Sequence, residues 1–556
     1  MQHGQSNQAN STDLVQGYLD RNIPVGNLNI DSEWATAFNN FEVDTNKYPD
    51  LKGLVASLHE QQISVTMWMT SMVNTDNPEY EEAKQKGYFV RDAYGVVRPI
   101  KWWKGDGALI DYSNPEAVEW WHSQMDKVLD VGIDGFKTDQ TDLYIAEYIA
   151  LSGAALGYQD FNYTYRDYAN YYYRDTLFYS REKRGDEALI MSRPMDCALD
   201  TITKVCIPSS PYDVMYSGWV GDDDGTFNGL TGCLRKVIYS AWNNYTNMGC
   251  DIGGYRDVNG GNAIKEVFIR WAQFGAFIPL MENGGGGEHR PWMFDEETVD
   301  IYRKFVLEHY RMIPYLMTTG MESMESAGMK SSITPLAVKE TEDYFNPQPS
   351  TYSYLLGNDI LVHPVVNEKS VVEMTFPVGA DTWLSWWAPT SARLAIDGKD
   401  TEEYVLPHIV SMDSYPVYVR RNALLPLDKT PVPVSQKDED TTLLFTWFCP
   451  DASTTALTCS ATVREPASVG NGMVGTTSLS VEGVFTGSIS AHLDNKQPVG
   501  FHLIGVTGPT AVTTLPAEAG CGWEFDPVGS TLNIECSDLS QGVTVEATGV
   551  FADFKK

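Results

Sequence analysis

Two aspartates, each closing a short apolar segment, are the residues of this chain best suited to chemistry. Asp139 ends the run Gly132–Asp139, and Asp222 ends the run Trp219–Asp222. Each run is typical of a strand that stops at a carboxylate where a polar loop begins. Two carboxylates that face each other across a small gap can cleave a glycosidic bond, one as nucleophile and the other as general acid and base. Taken alone, an aspartate after a strand is more often an ordinary acidic loop residue. Whether these two are catalytic therefore depends on the elements that surround them.

Residues 1 to about 320 alternate β-rich runs with amphipathic helical stretches, which predicts parallel βαβ units. Helices are expected over 115–131 and 295–315, and the first helix of the chain is expected to be capped by Ser11-Thr12-Asp13. Most predicted strands end in a polar or charged residue, as in a (β/α)8 TIM-type barrel. Seven strands are predicted instead of eight: Val25–Asp31, Ile63–Thr70, Gly132–Asp139, Ala188–Arg193, Asp213–Trp219, Gly249–Gly254 and Phe274–Glu282.

From about residue 330 the pattern changes to short alternating strands and turns, which predicts a small antiparallel β-sandwich over Ser331–Leu425. A second β-rich section covers 432–553 after a proline-containing linker, Leu425–Gln436. We therefore expect a catalytic (β/α) barrel over residues 1–325, a proximal C-terminal β-sandwich over 326–430 and a distal β-sandwich domain over 431–556.

The net charge of −34 argues against nucleic acid or an anionic membrane as a partner, because both attract clustered cations. The first dozen residues hold no apolar segment suited to a secretory signal, whereas three glycosylation sequons fit secretion, so the compartment stays open.

The eight cysteines include no Cys-x-x-Cys pair, and a zinc site is not expected. Three cysteine pairs are spaced either for disulfides or as buried thiols: Cys197 with Cys206, Cys449 with Cys459, and Cys521 with Cys536.

Several motifs, in order over residues 13–425, resemble those of glycoside hydrolase family 31, the retaining α-glycosidases. Phe136–Asp139 is similar to the nucleophile motif of the family's xylosidase-like branch, and Trp219–Asp222 is similar to its acid/base motif. The other similar segments are Tyr48–Asp50 with Leu58–Glu60, Gly107–Ala117 with Trp120-Trp121, Asp251–Tyr255, Glu288–Trp292, Tyr354–Val362 and Pro416–Arg420. The section after about residue 432 is only weakly similar to the family's distal β-domain.

The resemblance implies hydrolysis of terminal α-linked sugars by double displacement, without cofactor or metal, on an oligosaccharide or glycoside substrate. Asp139 would form the covalent glycosyl-enzyme and Asp222 would act as acid and then base. It also implies that Asp31 binds ring hydroxyls and that Arg193 contacts the sugar or the carboxylates. For Arg193, a purely structural salt bridge is nearly as good an explanation. The other candidate substrate-binding residues are Trp68, Trp103, Lys137, Trp219, Asp251, Glu282, His289 and Arg290. Tryptophans in such segments are more often core residues, and Trp103 and Trp219 are the stronger candidates for stacking on a sugar.

The chain departs from the family at Glu282 and Gly284, where an arginine and a histidine are usual. This charge reversal leads to the hypothesis of an α-galactosidase-like specificity, with Glu282 accepting a hydrogen bond from a sugar hydroxyl. α-Glucosidase or α-xylosidase activity, transglycosylation, a lyase-type reaction and a non-catalytic carbohydrate-binding remnant are the alternatives. The family's N-terminal β-sandwich and first barrel strand are also missing, for which we expect an incomplete gene model.

Overall fold

The structure is a computed structural model of the 556-residue chain. It describes residues 6–193, 195–196, 207–208, 211–258 without 216, 260, 263–325, 332–336, 352–377 without 375, 382–388, 396–397, 407–432 without 422, 521, and nine strands between 443 and 551. The chain divides into two compact units, one of residues 1–275 with 280–300 and one of residues 276–279 with 301–556.

One sheet of seven parallel strands organises the described part of the first unit, and the strands pair in chain order. This is the predicted TIM-type barrel sheet, and each strand overlaps the run predicted for it. Their nearly continuous apolar residues, such as Val65, Met67 and Met69, are buried, as expected for parallel strands covered by helices. The strands, β1 to β7, are Asn27–Ile30, Ser64–Met69, Gly135–Thr138, Leu189–Ser192, Ser217–Trp219, Met248–Asp251 and Leu280–Glu282.

The helices between these strands follow the expected periodicity, with local corrections. The helix predicted over 115–131 is confirmed as Pro115–Leu129, with Asn114 as its cap. The α-helices of the described chain are Gln8–Leu19, Leu51–Glu60, Tyr80–Gln85, Pro115–Leu129, Tyr144–Ser152, Tyr165–Arg184, Phe227–Trp242, Lys265–Ala276, Glu296–Arg311 and Ile313–Glu325.

Three boundaries were wrong. The first helix is capped by Asn7, whose side chain accepts a hydrogen bond from the backbone N–H of Asn10 at 2.9 Å. The helix starts at Gln8, so the predicted cap residues lie inside it. The helix predicted over 295–315 is two helices that meet just before Pro314, a residue without the N–H that continuation needs. The first residues of the strand predicted over 274–282 belong to the preceding helix.

Shorter strands complete the first unit. Met72–Asn74, Gly105–Leu109 and Ile100–Trp102 form a three-stranded sheet. Two small antiparallel pairs are Arg91–Asp92 with Ala155–Leu156 and Met195–Asp196 with Ile207–Pro208.

The second unit contains β-sheets, as the sequence predicts for this part of the chain. A six-stranded antiparallel sheet has the order Ile333–Pro335, Tyr354–Leu356, Ile360–Val362, Val417–Arg420, Thr382–Ser385, Ile396–Asp397, and Val371–Glu373 pairs with Pro407–Ile409. One five-stranded sheet is Leu424–Asp428, Leu443–Phe448, Val499–Ile504, Thr531–Cys536, Gly522–Asp526. The other is Leu457–Glu465, Gly475–Gly483, Thr486–His492, Val543–Phe551, Val506–Leu515. The division into three domains stays a prediction.

The cysteines fall into two described groups. Cys233 and Cys250 are buried free thiols. Cys521 is in a disulfide, and the register that puts Gly522 opposite Glu535 brings position 536 next to it. Cys197, Cys206 and Cys449 of the other predicted pairs lie outside the described residues.

Within the described chain, none of the helices combines the length and the apolar character that crossing a bilayer requires.

Candidate active site

The carboxyl ends of the seven strands gather the polar residues that the sequence singled out. Parallel strands end at one edge of their sheet, so residues that follow them along the chain become neighbours in space. Lys137 lies within β3, while Asp251 and Glu282 are opposite each other as the last residues of β6 and β7. Asp31, Asp139 and Arg193 directly follow β1, β3 and β4. Asp222 lies in the loop that follows β5.

Asp139 and Asp222 are joined by one guanidinium group. Nη1 of Arg193 lies 3.1 Å from Oδ1 of Asp139 and 3.6 Å from Oδ1 of Asp222. These two distances put the carboxylate oxygens at most about 7 Å apart, a range that includes the roughly 5–5.5 Å of a retaining pair. The Asp222 side chain is 33% exposed and that of Asp139 only 12%, so the two carboxylates differ in their access to water.

Asp139 is held on both oxygens. Trp68 donates its indole N–H to Oδ2 at 3.2 Å, and the backbone N–H of Gln140 donates to Oδ1 at 2.8 Å. The hydroxyl of Tyr172 donates to the Asp139 carbonyl at 3.2 Å and so supports the backbone from the helix behind it. The carboxylate therefore has a defined orientation before any substrate binds, as a nucleophile requires.

Gly221, next to Asp222, lets Arg193 reach both carboxylates. Its φ of 84° is in the left-handed region that favours glycine. A Cβ at this position would lie 2.5 Å from Nε and Nη2 of Arg193, which is a collision. The glycine in the Trp-Val-Gly-Asp motif is therefore needed for both backbone conformation and space.

Gly221→Ala is expected to lower kcat/KM by at least about tenfold, because displacing Arg193 misaligns both carboxylates. Steady-state kinetics on an aryl α-glycoside would measure this. Gly87→Ala is the matched control, since Gly87 has a similar φ of 75° but no atom of the described residues within 4 Å of its would-be Cβ. Equal activity of Gly221→Ala and Gly87→Ala would contradict the role given to Arg193.

Lys137 is the centre of a buried charge cluster. Its Nζ lies 2.7 Å from Oε1 of Glu282, 3.5 Å from Oδ2 of Asp31 and 3.8 Å from Oδ1 of Asp251. The ammonium also sits 4.5 Å from the ring centroid of Trp219. One cation thus holds three carboxylates that come from three different strands, and we call these four residues the Lys137 cluster.

Burial and charge act against each other in the Lys137 cluster. Burial by itself lowers the pKa of Lys137, but Glu282, Asp251 and Asp31 together raise the pKa well above its ordinary value. Burial raises the pKa of Asp251 well above its ordinary value, and Lys137 only partly opposes that effect. Among the residues that the structure describes, neither oxygen of Asp251 nor Oε2 of Glu282 has a hydrogen-bond partner. The cluster therefore depends on its single ammonium group.

Trp68 and Trp219 are almost fully buried, at 4% and 2% exposure. Their contacts are with Asp139 and Lys137, respectively, so their position suits holding these groups in place. Trp103 is different: 49% of it is exposed, and it packs against Trp102 and Tyr144 with ring centroids 5.0 and 6.2 Å apart.

His289 and Arg290 make their hydrogen bonds to loop residues. Nδ1 of His289 is 2.8 Å from the carbonyl of Ile252, and burial lowers its pKa to about 4, so the ring is neutral. Arg290 makes two hydrogen bonds to Glu288, at 2.7 and 2.6 Å. The partner of His289 thus lies in the loop after β6 and that of Arg290 in its own loop, and neither partner belongs to the Lys137 cluster.

The loop that carries Asp222 has two anchors that the sequence did not reveal. Lys236 donates to both oxygens of Asp223 at 2.9 and 3.0 Å, and burial raises the pKa of Asp223. Arg256 donates to Asp224 at 2.6 Å. Thirteen residues and the start of a helix separate Asp223 from Lys236, so no local pattern links them.

The sequence matches the TIM-barrel domain of glycosyl hydrolases family 31 over residues 1–319 and the C-terminal domain of that family over residues 331–425. Similar curated proteins include an α-xylosidase from Emericella nidulans, 26% identical over 75% of this chain and 51% of its own length. The α-xylosidase XylQ from Lactiplantibacillus pentosus is 26% identical over 74% of this chain and 51% of its own length. The chain thus spans about half the length of the curated relatives that it matches.

A solved dextranase from Flavobacterium johnsoniae has the same fold, with a TM-score of 0.81 and 18% identity over 98% of this chain and 69% of its own. The match to the family's barrel domain covers more than half of the present sequence. The chain belongs to glycoside hydrolase family 31.

Proposed function

We propose that this protein hydrolyses terminal α-glycosidic bonds with retention of configuration, using Asp139 as nucleophile and Asp222 as acid and base. The observation that carries the proposal is the position of Arg193, whose Nη1 lies 3.1 Å from one carboxylate and 3.6 Å from the other. Two carboxylates held this close to one guanidinium group can act together in a double displacement.

In the first step the Asp139 carboxylate attacks the anomeric carbon, while Asp222 gives its proton to the departing glycosidic oxygen. The products are a glycosyl ester on Asp139 and the free alcohol. In the second step Asp222 takes a proton from water, the water oxygen attacks the anomeric carbon, and the Asp139 carboxylate leaves. The partial exposure of Asp222 supports its role, since this residue must meet both the leaving group and water.

We propose α-xylosides or α-glucosides as substrates. The first two relatives reported above are named α-xylosidases, and a protein from Bacillus thermoamyloliquefaciens that is 22% identical is named α-glucosidase 2. The α-galactosidase-like preference has no support from these relatives. Glu282, on which that preference rested, has one oxygen on Lys137 at 2.7 Å and the other fully buried. It is therefore poorly placed to accept a hydrogen bond from a sugar hydroxyl.

A panel of 4-nitrophenyl α-xyloside, α-glucoside and α-galactoside tests the proposal. We expect α-xyloside or α-glucoside to have the highest kcat/KM, and the first sugar released to be the α-anomer when followed by NMR. A β-anomer as first product would exclude the double displacement, and α-galactoside as the best substrate would overturn the assigned specificity. Product analysis would also reveal transfer to a second sugar or elimination, which can start from the same covalent intermediate.

A further inference from the structure

The helix Phe227–Trp242 has a side that is shaped to receive the loop after β5, in which the proposed acid and base lies. A Cβ on Gly229 would lie 1.8 Å from a backbone carbonyl oxygen of this loop, and a Cβ on Gly232 would lie 3.2 Å from Oδ1 of Asp223. Residues three or four positions apart share one side of a helix, so the two glycines and Lys236 face the loop together. The helix thus leaves room for the loop and places a cation beside it.

Asp223, the residue after Asp222, is fixed through its side chain and through its backbone. Lys236 donates to its two carboxylate oxygens at 2.9 and 3.0 Å, and its carbonyl accepts from the backbone N–H of Arg256 at 2.9 Å. The side chains of Asp223 and Lys236 are only 10% and 19% exposed. Burial raises the pKa of Asp223, and Lys236 acts in the opposite direction. Without this ammonium group the carboxylate would lose two hydrogen bonds, which favours its protonation or a movement towards water.

Asp222 depends on its backbone for its position more than Asp139 does. Trp68 and Gln140 donate hydrogen bonds to the two oxygens of Asp139. The Asp222 side chain is 33% exposed, and Nη1 of Arg193 lies 3.6 Å from its Oδ1, which is longer than a hydrogen bond. A general acid must stay within hydrogen-bond reach of the oxygen that it protonates. A group that fixes the backbone next to Asp222 therefore also fixes the proton donor.

We propose that Lys236 is a positioning residue for Asp222 and acts through the carboxylate of Asp223. The inference rests on the proposed function, because it gives Lys236 a part in proton transfer during that reaction. Its consequence is selective. Removal of Lys236 weakens the transfer of a proton to the leaving oxygen and from water, whereas the attack by Asp139 continues because other groups hold that carboxylate. A general loss of folded protein would instead weaken both steps equally.

Two leaving groups of different acidity test this selectivity. Phenolate departs poorly without a proton, whereas 4-nitrophenolate departs without one. For Lys236→Met we expect kcat/KM to fall by about 30-fold or more with phenyl α-glucoside and by less than about threefold with 4-nitrophenyl α-glucoside, or with the corresponding xylosides. With the nitrophenyl substrate kcat and KM should fall together, because the glycosyl-enzyme accumulates when Asp222 is poorly placed to activate water.

Asp223→Asn is a second variant that keeps the shape of the side chain. Its amide offers Lys236 one acceptor oxygen instead of two, so we expect the same selective loss at a smaller size. Lys183→Met is the matched control, because Lys183 also reaches from a helix to an aspartate, Asp126, at 3.0 Å and is 29% exposed. It should leave the ratio of the two kcat/KM values unchanged.

The positioning role is overturned if Lys236→Met and Asp223→Asn both keep the wild-type ratio of the two kcat/KM values, or if they lower both values equally. Asp222→Ala separates this failure from a failure of the proposed function. If Asp222→Ala itself keeps the wild-type ratio, Asp222 is not the acid and the proposed function fails. If Asp222→Ala alone changes the ratio, the proposed function stands and only the role of Lys236 is lost.

Discussion

Asp139→Asn is expected to lower kcat for a 4-nitrophenyl α-glycoside by about four orders of magnitude, because the amide cannot form the glycosyl ester. Asp222→Ala should behave differently. A nitrophenolate departs without a proton, so the first step survives and the glycosyl-enzyme accumulates because no base activates water. Burst kinetics and mass spectrometry of the intact protein would detect this ester.

Azide distinguishes the two carboxylates further, since it attacks without a general base. With Asp222→Ala it should restore turnover and give the α-glycosyl azide, because it displaces the ester on Asp139. The control is Asp224→Asn in the same loop, whose carboxylate is 43% exposed and pairs with Arg256, and we expect a change of less than about threefold. Full activity in Asp139→Asn, or equal losses in all three variants, would remove the catalytic assignment.

Lys137→Met is expected to lower the free energy of unfolding by about 3–5 kcal/mol, because it leaves the carboxylates of Asp31, Asp251 and Glu282 buried without their cation. Chemical denaturation of the folded protein would measure the loss. Lys86→Met is the control: Lys86 forms an exposed pair with Glu82 at 2.6 Å, and its loss should have no measurable effect.

A double variant separates a missing cation from a missing packing contact. In Lys137→Met with Glu282→Leu, one of the uncompensated carboxylates is gone and the new side chains are apolar, so part of the lost stability should return. The contradicting outcome is a double variant that is less stable than the sum of the two single effects predicts. It would show that Lys137 and Glu282 are not coupled through their charges.

The pH dependence of this loss follows from the raised pKa of Lys137 in the folded state. A raised pKa contributes stability that is complete below the unfolded pKa of about 10.4 and is lost as pH rises through the folded value. The difference between the wild type and Lys137→Met should therefore not shrink between about pH 6 and about pH 9 through titration of Lys137. A difference that shrinks as pH rises from about 6 to about 9 would contradict the raised pKa of Lys137.

Local sequence patterns were sufficient to predict the strands at which the candidate site is built. Apolar runs ending in Asp31, Asp139 and Arg193 predicted strands, and all of these strands exist. The reason is that strand periodicity and the polar residue at a strand's end are properties of neighbouring residues. Helix ends were predicted less well: Asn7 and not Ser11-Thr12-Asp13 caps the first helix, since several residues nearby are suitable caps.

The pairing of charges was decided only in three dimensions. Nothing near Glu282 in the chain indicates that Lys137, 145 residues away, would be its partner, or that Arg193 would join Asp139 to Asp222. The amino-acid sequence was enough to assign the family and to predict the parallel strands and the acidic residues at their ends. The tertiary structure alone decided which carboxylates share a cation, because ion pairs depend on separations of a few ångströms that strand packing sets.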